Sequence, residues 1–207
     1  MRLLLTSTGL ANKNITDEFL KMAGKPVSKI KITFVPTAAR SKEELKYVDE
    51  SKIELLNMGI LKDNIKTLNL NKSVSFEEVE NFDVIYVCGG NTFYLLKKIK
   101  ETSFDKIIKK FTKINKLYFG VSAGSIIVCP DINIASPFDE NDISLTDLTG
   151  LNLVNVIVSP HYSEKEKSII DKFKKSSQYK VVTLTNNQAL LVKDKELKII
   201  EQLIKNK

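Results

Sequence analysis

The stretch KLYFGVSAGSIIVCP, Lys116–Pro130, joins a short apolar run to a serine set between two glycines. KLYFG has the composition of a buried strand and AGSIIV that of a helix start, so Gly120-Val121-Ser122-Ala123-Gly124 falls at a strand-to-helix turn. That is the context of the G-x-S-x-G nucleophile elbow. So sharp a turn strains the serine backbone and crowds its neighbours, which calls for flanking glycines. In return the hydroxyl projects from the sheet edge near the positive end of the following helix. The N–H of Ala123 then points where an oxyanion would form. The same pentapeptide also suits a Gly/Ser turn that merely lets a helix pack closely, so the rest of the chain has to choose.

Outward from the elbow, short β-branched runs alternate with amphipathic stretches. Upstream, RLLLTS, KITFVPTA (Lys31–Ala38), NIKTLNL and DVIYVCGG read as strands. Val84–Cys88 is almost continuously apolar, as expected of a strand covered on both faces. Helices are expected around Asn14–Met22, Asn91–Lys100 and Phe104–Lys113, with a short one in SFEEVENF. Another opens on a Ser41…Glu44 capping box and ends at Gly59. Downstream, LVNVIVSP and KVVTL read as strands flanking a helix over Glu164–Lys175. ALLVKDKELKII reads as a β-hairpin turning at Lys193–Glu196. This alternation predicts an α/β fold, a single domain over 1–207 with helices on both sides of a mostly parallel sheet. In such sheets ligands bind beyond the carboxyl ends of the strands, where both Gly89-Gly90 and the elbow fall.

Two further segments share that edge. VCGGNTFYLL, Val87–Leu96, presents backbone N–H groups with no side chain in the way, a geometry suited to an anion or oxyanion. It lacks the spacing and the GK[ST] of a phosphate loop, and by itself it equally suits a strand-end turn with Asn91 as helix cap. His161, in VIVSPHYSEKEK, is the chain's only histidine and directly follows a strand. A serine hydroxyl is a poor nucleophile unless a base takes its proton, and imidazole is the usual base at neutral pH. If the chain uses a Ser–His mechanism, His161 has no competitor. Its ring would need an orienting acceptor, usually a carboxylate. PFDENDISLTDL, between elbow and histidine, offers Asp139, Glu140, Asp142 and Asp147, and chemistry alone does not choose among them.

The composition is that of an ordinary globular protein, 43% hydrophobic and 28% charged. A net charge of +7 could suggest nucleic acid, but only Arg2 and Arg40 are arginines, and the lysines are spread along the chain without interleaved aromatics. The densest run, Asp171–Lys180, reads as a solvated helix face and its exit loop. Two cysteines, Cys88 and Cys129, make no disulfide framework and suit buried thiols in a reducing compartment. MRLLLTSTGL turns polar too soon for a secretory signal, and no segment approaches the roughly 18 apolar residues of a membrane span. The expectation is a cytoplasmic protein with no nucleic-acid or membrane partner; a homodimer is left open.

VCGGNTFYLL, GVSAGSIIVCP, SPHY and the closing NNQALLV, in this order, resemble the peptidase E family of serine peptidases. The resemblance implies a fold similar to class I glutamine amidotransferases, whose elbow nucleophile is cysteine where Ser122 stands here. It also implies that Ser122 is the nucleophile and His161 the base, with the N–H groups of Gly90 and Ala123 as oxyanion hole. No metal or cofactor is implied. Counting back from the histidine puts the third triad member at Asp139; counting forward from the serine lands near Pro137. Characterised members cleave dipeptides with an N-terminal aspartate, so a small peptide is the implied partner. The family's arginine after the histidine is missing from HYSEKEKSIIDKFKK. Its lysines would supply the charge without the bidentate fork, and Arg40 is the one substitute at a strand end. Three other readings stay in view. One is a cyanophycinase-like isopeptide hydrolase, and another an inactive relative acting as a binding module. The third is an esterase, although the chain has no HGG-type segment and 46 residues follow His161.

Overall fold

The computed structural model describes residues 1–194 and 196–201. Nine strands alternate with helices among them: β1 (Arg2–Thr6), α1 (Lys13–Ala23), β2 (Ile32–Val35), α2 (Lys42–Asn57), β3 (Ile65–Thr67) and β4 (Val84–Val87). Then follow α3 (Thr92–Glu101), α4 (Phe104–Lys113), β5 (Leu117–Val121), α5 (Ala123–Ile126), β6 (Val156–Ser159), α6 (Lys167–Ser176), β7 (Lys180–Thr183), β8 (Gln188–Lys193) and β9 (Glu196–Glu201). A seven-stranded sheet runs in the order β3-β2-β4-β5-β1-β8-β9. Its first five strands pair in parallel, and β8 and β9 add antiparallel at the β1 side. The expected hairpin is therefore present; its turn includes Lys195, which lies outside the described residues.

Strand residues alternate between two cores because successive side chains leave opposite faces. Leu3 and Leu5 join one apolar cluster and Leu4 the other; Ile85 and Val87 oppose Val84 and Tyr86 in the same way. One face is covered by α1 and α2 through Ile15, Phe19, Met22, Val48 and Leu55. On that face Phe34, Tyr86 and Phe119 stack across β2, β4 and β5 at centroid distances of 5.1 and 4.6 Å. The opposite face is covered by α3, α4 and α5, with Phe104, Ile107, Ile108 and Phe111 of α4 spaced to make one apolar stripe. The result is a three-layer α/β/α arrangement, each fully buried Leu or Phe contributing about 1.5–3 kcal/mol.

Helix starts follow the local chemistry. Ser41 Oγ accepts from Glu44 N–H at 3.1 Å while Glu44 Oε2 accepts from Ser41 N–H at 2.7 Å, the capping box expected for α2. Asn91 caps α3 by accepting from Tyr94 N–H at 2.9 Å. One expectation is corrected: β6 and β7 pair in parallel as a separate two-stranded sheet and do not extend the central one. Both strands are apolar enough for either position, so their pattern does not encode which sheet they join. No helix among the described residues is long and apolar enough to cross a membrane.

Candidate active site

Ser122 follows β5 with φ 50° and ψ −112°, a conformation an L-residue adopts only when its surroundings enforce it. The neighbouring β1 supplies part of that enforcement: Ser122 N–H donates to Thr6 O at 2.9 Å. Buried Ser125 Oγ lies 2.8 Å from both Thr6 O and Gly120 O, and Tyr118 Oη donates to Gly124 O at 2.7 Å. Gly120 is required because the turn folds back on itself; a Cβ there would sit 2.5 Å from Gly124 O. The strand-to-helix elbow is thus a braced unit with the serine at its apex.

His161 lies just beyond β6, also at positive φ (58°). Its N–H donates to Ser7 Oγ at 3.1 Å, and fully buried Ser7 donates in turn to Leu184 O at 3.0 Å. The ring bridges two partners: Nε2 is 2.9 Å from Ser122 Oγ, and Nδ1 is 2.8 Å from Asn186 Oδ1. If the serine hydroxyl donates to Nε2, Nδ1 carries the proton and donates to the Asn186 carbonyl oxygen, which selects the tautomer a base requires. Asn186 is itself held through its backbone carbonyl, which accepts from Thr8 Oγ1 at 2.7 Å.

The position expected for Asp139 is corrected here. Its Oδ2 accepts from Thr92 N–H at 2.8 Å, which places a carboxylate at the N-terminus of α3, where unpaired N–H groups and the helix dipole favour negative charge. His161 Nδ1 is occupied by an amide from the loop after β7 instead. Of the other three acidic residues, two pair with basic side chains and the third meets this region only through its backbone. Asp142 forms a fork with Arg40 at 2.8 and 3.1 Å, which holds its carboxyl below the usual range, and Asp147 pairs with Lys100 at 2.6 Å. Glu140 contributes its backbone oxygen to Asn91 Nδ2 at 2.7 Å. Arg40, stacked 4.7 Å over Tyr94 as well, is committed to that fork and does not line the space around the serine.

Gly90, at φ 131°, passes so close to the Ala38 carbonyl that no side chain fits. This packs the turn after β4 against the elbow: a Cβ at Gly89 would sit 3.0 Å from Ser122 Cβ and 3.7 Å from its Oγ. Among the described residues neither Gly90 N–H nor Ala123 N–H has an acceptor. Two depressions open on Ser122 and His161. The larger, about 580 Å³, runs along α2 past Glu44, Glu50 and Glu54 to Gly89, Gly90 and Asn186. The smaller, about 150 Å³, has walls of Ile126, Ile134, Ala135 and Phe138, with Asp139 and Glu166 at its margins. No lysine or arginine lines either. Cys88, in the larger depression, is a buried thiol pushed up by desolvation, as is Cys129, raised to about 12. No group of three His, Cys, Asp or Glu side chains among the described residues could hold a metal ion.

Nothing in the local sequence marks Thr6, Ser7 and Asn186 as site residues. Their one signal is positional: each stands at the carboxyl end of a predicted strand, as Ser122 and His161 do.

The profile of peptidase family S51 matches residues 3–200. An uncharacterised peptidase of Pasteurella multocida is 34% identical over 207 residues, covering 97% of this chain and 97% of its own. Peptidase E of a Nostoc species is 28% identical over 215 residues, covering 96% and 85%. Among solved structures, a Listeria monocytogenes protein described as peptidase E superposes with a TM-score of 0.83 at 30% identity, covering 98% of both chains. A peptidase from an acI-B1 actinobacterium, at 18% identity and a TM-score of 0.72, shares the fold.

Proposed function

This chain belongs to peptidase family S51, a family of serine-type peptidases, and we propose that it hydrolyses short peptides as a dipeptidase. Ser122 is the nucleophile, His161 the general base, and Asn186 the group that orients the base. The observation that carries this reading is the 2.9 Å approach of His161 Nε2 to Ser122 Oγ at a strained elbow.

In the first step Ser122 Oγ attacks the scissile carbonyl carbon and its proton passes to His161 Nε2. The N–H groups of Gly90 and Ala123 donate to the oxyanion that forms, a contribution of about 3–4 kcal/mol per donor in comparable sites. The C–N bond then breaks, and His161 gives its proton to the leaving amine. Water, deprotonated by the same nitrogen, releases the acyl group and restores the serine. Asn186 keeps Nε2 as the accepting nitrogen but, being neutral, adds no charge to balance the imidazolium. An amide in this role serves the Cys-His-Asn peptidases. The smaller depression suits one residue on one side of the serine, and the larger has room for at least one on the other. With no lysine or arginine lining them, a requirement for N-terminal aspartate has no electrostatic support.

Reaction with a fluorophosphonate, read by intact mass, tests the assignment. One adduct on the wild type, absent in Ser122→Ala and strongly slowed in His161→Ala, is expected. A wild type that stays unlabelled, or an adduct that survives Ser122→Ala, refutes it.

A further inference from the structure

The smaller depression beside Ser122 holds an unexplained polar group. Thr92, the first residue of α3, is fully buried, and its Oγ1 has no hydrogen-bond partner among the described residues. It lines the same 150 Å³ space as Ser122, His161 and Asp139. A buried hydroxyl without a partner costs about 1–3 kcal/mol, and such groups are ordinarily satisfied. Asp139 stands next to it and spends only Oδ2 on the Thr92 N–H; its Oδ1 has no partner among the described residues. Its loop is held against α3 by the Asn91 Nδ2 bond to Glu140 O at 2.7 Å, so the carboxylate is fixed in position.

We propose that Asp139 and Thr92 form the seat of the substrate's free α-ammonium group, and that the apolar wall beside them receives a small, neutral N-terminal side chain. An ammonium carries three donors and no acceptor, which matches a carboxylate oxygen and a hydroxyl oxygen that both lack donors. The rest of the wall, Ile126, Ile134, Ala135 and Phe138, offers a side chain only apolar contact. A carboxylate side chain would enter a space that holds Asp139 and Glu166 and no cation, and like charges there repel it. The depression is about a quarter of the larger one in volume and suits a chain terminus, while the 580 Å³ cleft accommodates the leaving residue. Although the protein's net charge is +7, its substrate end is acidic, and it selects by the charge of the amino terminus. This inference rests on the reading of Ser122 as the nucleophile.

The test compares alanyl-p-nitroanilide with its N-acetylated and aspartyl counterparts, in wild type, Asp139→Asn and Thr92→Val. Alaninamide and N-acetylalaninamide are run beside them as competitors of fluorophosphonate labelling. Asparagine keeps an oxygen for the Thr92 N–H while removing the charge, so the α3 cap survives. Wild type is expected to prefer the free alanyl substrate over both others. Asp139→Asn should cut that preference over the acetylated substrate by about 10–100-fold, the worth of a charge-assisted hydrogen bond, and Thr92→Val by a smaller factor. The proposal is overturned if wild type uses the acetylated or aspartyl substrate as well as the alanyl one. It is overturned equally if Asp139→Asn lowers all substrates in the same proportion. Labelling that alaninamide does not slow more than its acetylated form also refutes the seat while leaving the serine mechanism intact. Failure of the wild type to label would instead strike the underlying mechanism.

Discussion

Asn186 offers the sharpest perturbation, because it is the one member of the hydrogen-bonded chain that an ordinary serine peptidase would replace with a carboxylate. Removing its amide in Asn186→Ala deletes the 2.8 Å bond to His161 Nδ1. A neutral hydrogen bond is worth about 0.5–1.5 kcal/mol net, roughly 2–13-fold, and a ring free to rotate or change tautomer adds to this. Where the orienting group is a carboxylate its loss costs about 10⁴-fold. Here no charge is lost, so kcat should fall by about 10–100-fold with KM little changed. Asn186→Asp works in the opposite electrostatic sense. A carboxylate at this place favours the imidazolium by about 1 kcal/mol in water and about 4 kcal/mol at an effective dielectric of 20. Because His161 is exposed, the lower part of that range applies, about one pH unit at 1.36 kcal/mol each. The base must be neutral to accept the serine proton. The acidic limb of kcat/KM therefore moves to higher pH, and the variant loses activity at pH values where the wild type is still active. Measuring kcat/KM against pH for the three proteins reads both effects. Unchanged kcat in Asn186→Ala together with an unmoved limb in Asn186→Asp would refute the orienting role.

Two other outcomes follow from packing. Gly120→Ala forces a Cβ to 2.5 Å from the backbone oxygen of Gly124, which cannot withdraw without opening the elbow. Overpacking of this kind costs about 1–3 kcal/mol, so the variant should melt several degrees lower and label poorly with fluorophosphonate; wild-type values for both would contradict the tight turn. Burial pushes both thiols far above neutral pH, Cys129 to about 12, so iodoacetamide at neutral pH should leave the native mass and activity unchanged. An adduct on native Cys88, which borders the larger cleft, would show that the thiol is reachable after all.

What the sequence makes legible here divides along physical lines. Elements with local causes are readable: the Ser41–Glu44 capping box, the apolar stripe of α4 and the glycines of the elbow declare themselves within a few residues. His161 stands out as the chain's only histidine. The partner of its Nδ1 is not legible in the same way, because chemistry points first to carboxylates. Asn186 is an amide, 25 residues beyond the histidine in a loop that also forms the entry to β8. Only the convergence of strand ends brings the two together. β1 delivers Thr6 and Ser7, β5 delivers Ser122, β6 delivers His161 and β7 leads to Asn186, all at one edge. Asp139 shows the converse. Its count from His161 is compatible with a triad, but spacing carries no information about the competing claim of a helix N-terminus with a free N–H, and Thr92 of α3 supplies that claim at 2.8 Å. A carboxylate settled there nevertheless lines the same pocket as Ser122. Its charge is thus available to a substrate in a way that its hydrogen bond to α3 alone does not explain. That is why the distinction between a positioning group for His161 and an anchor for the amino terminus matters. The first would slow every substrate alike, whereas the second would act only on those that arrive with a free ammonium.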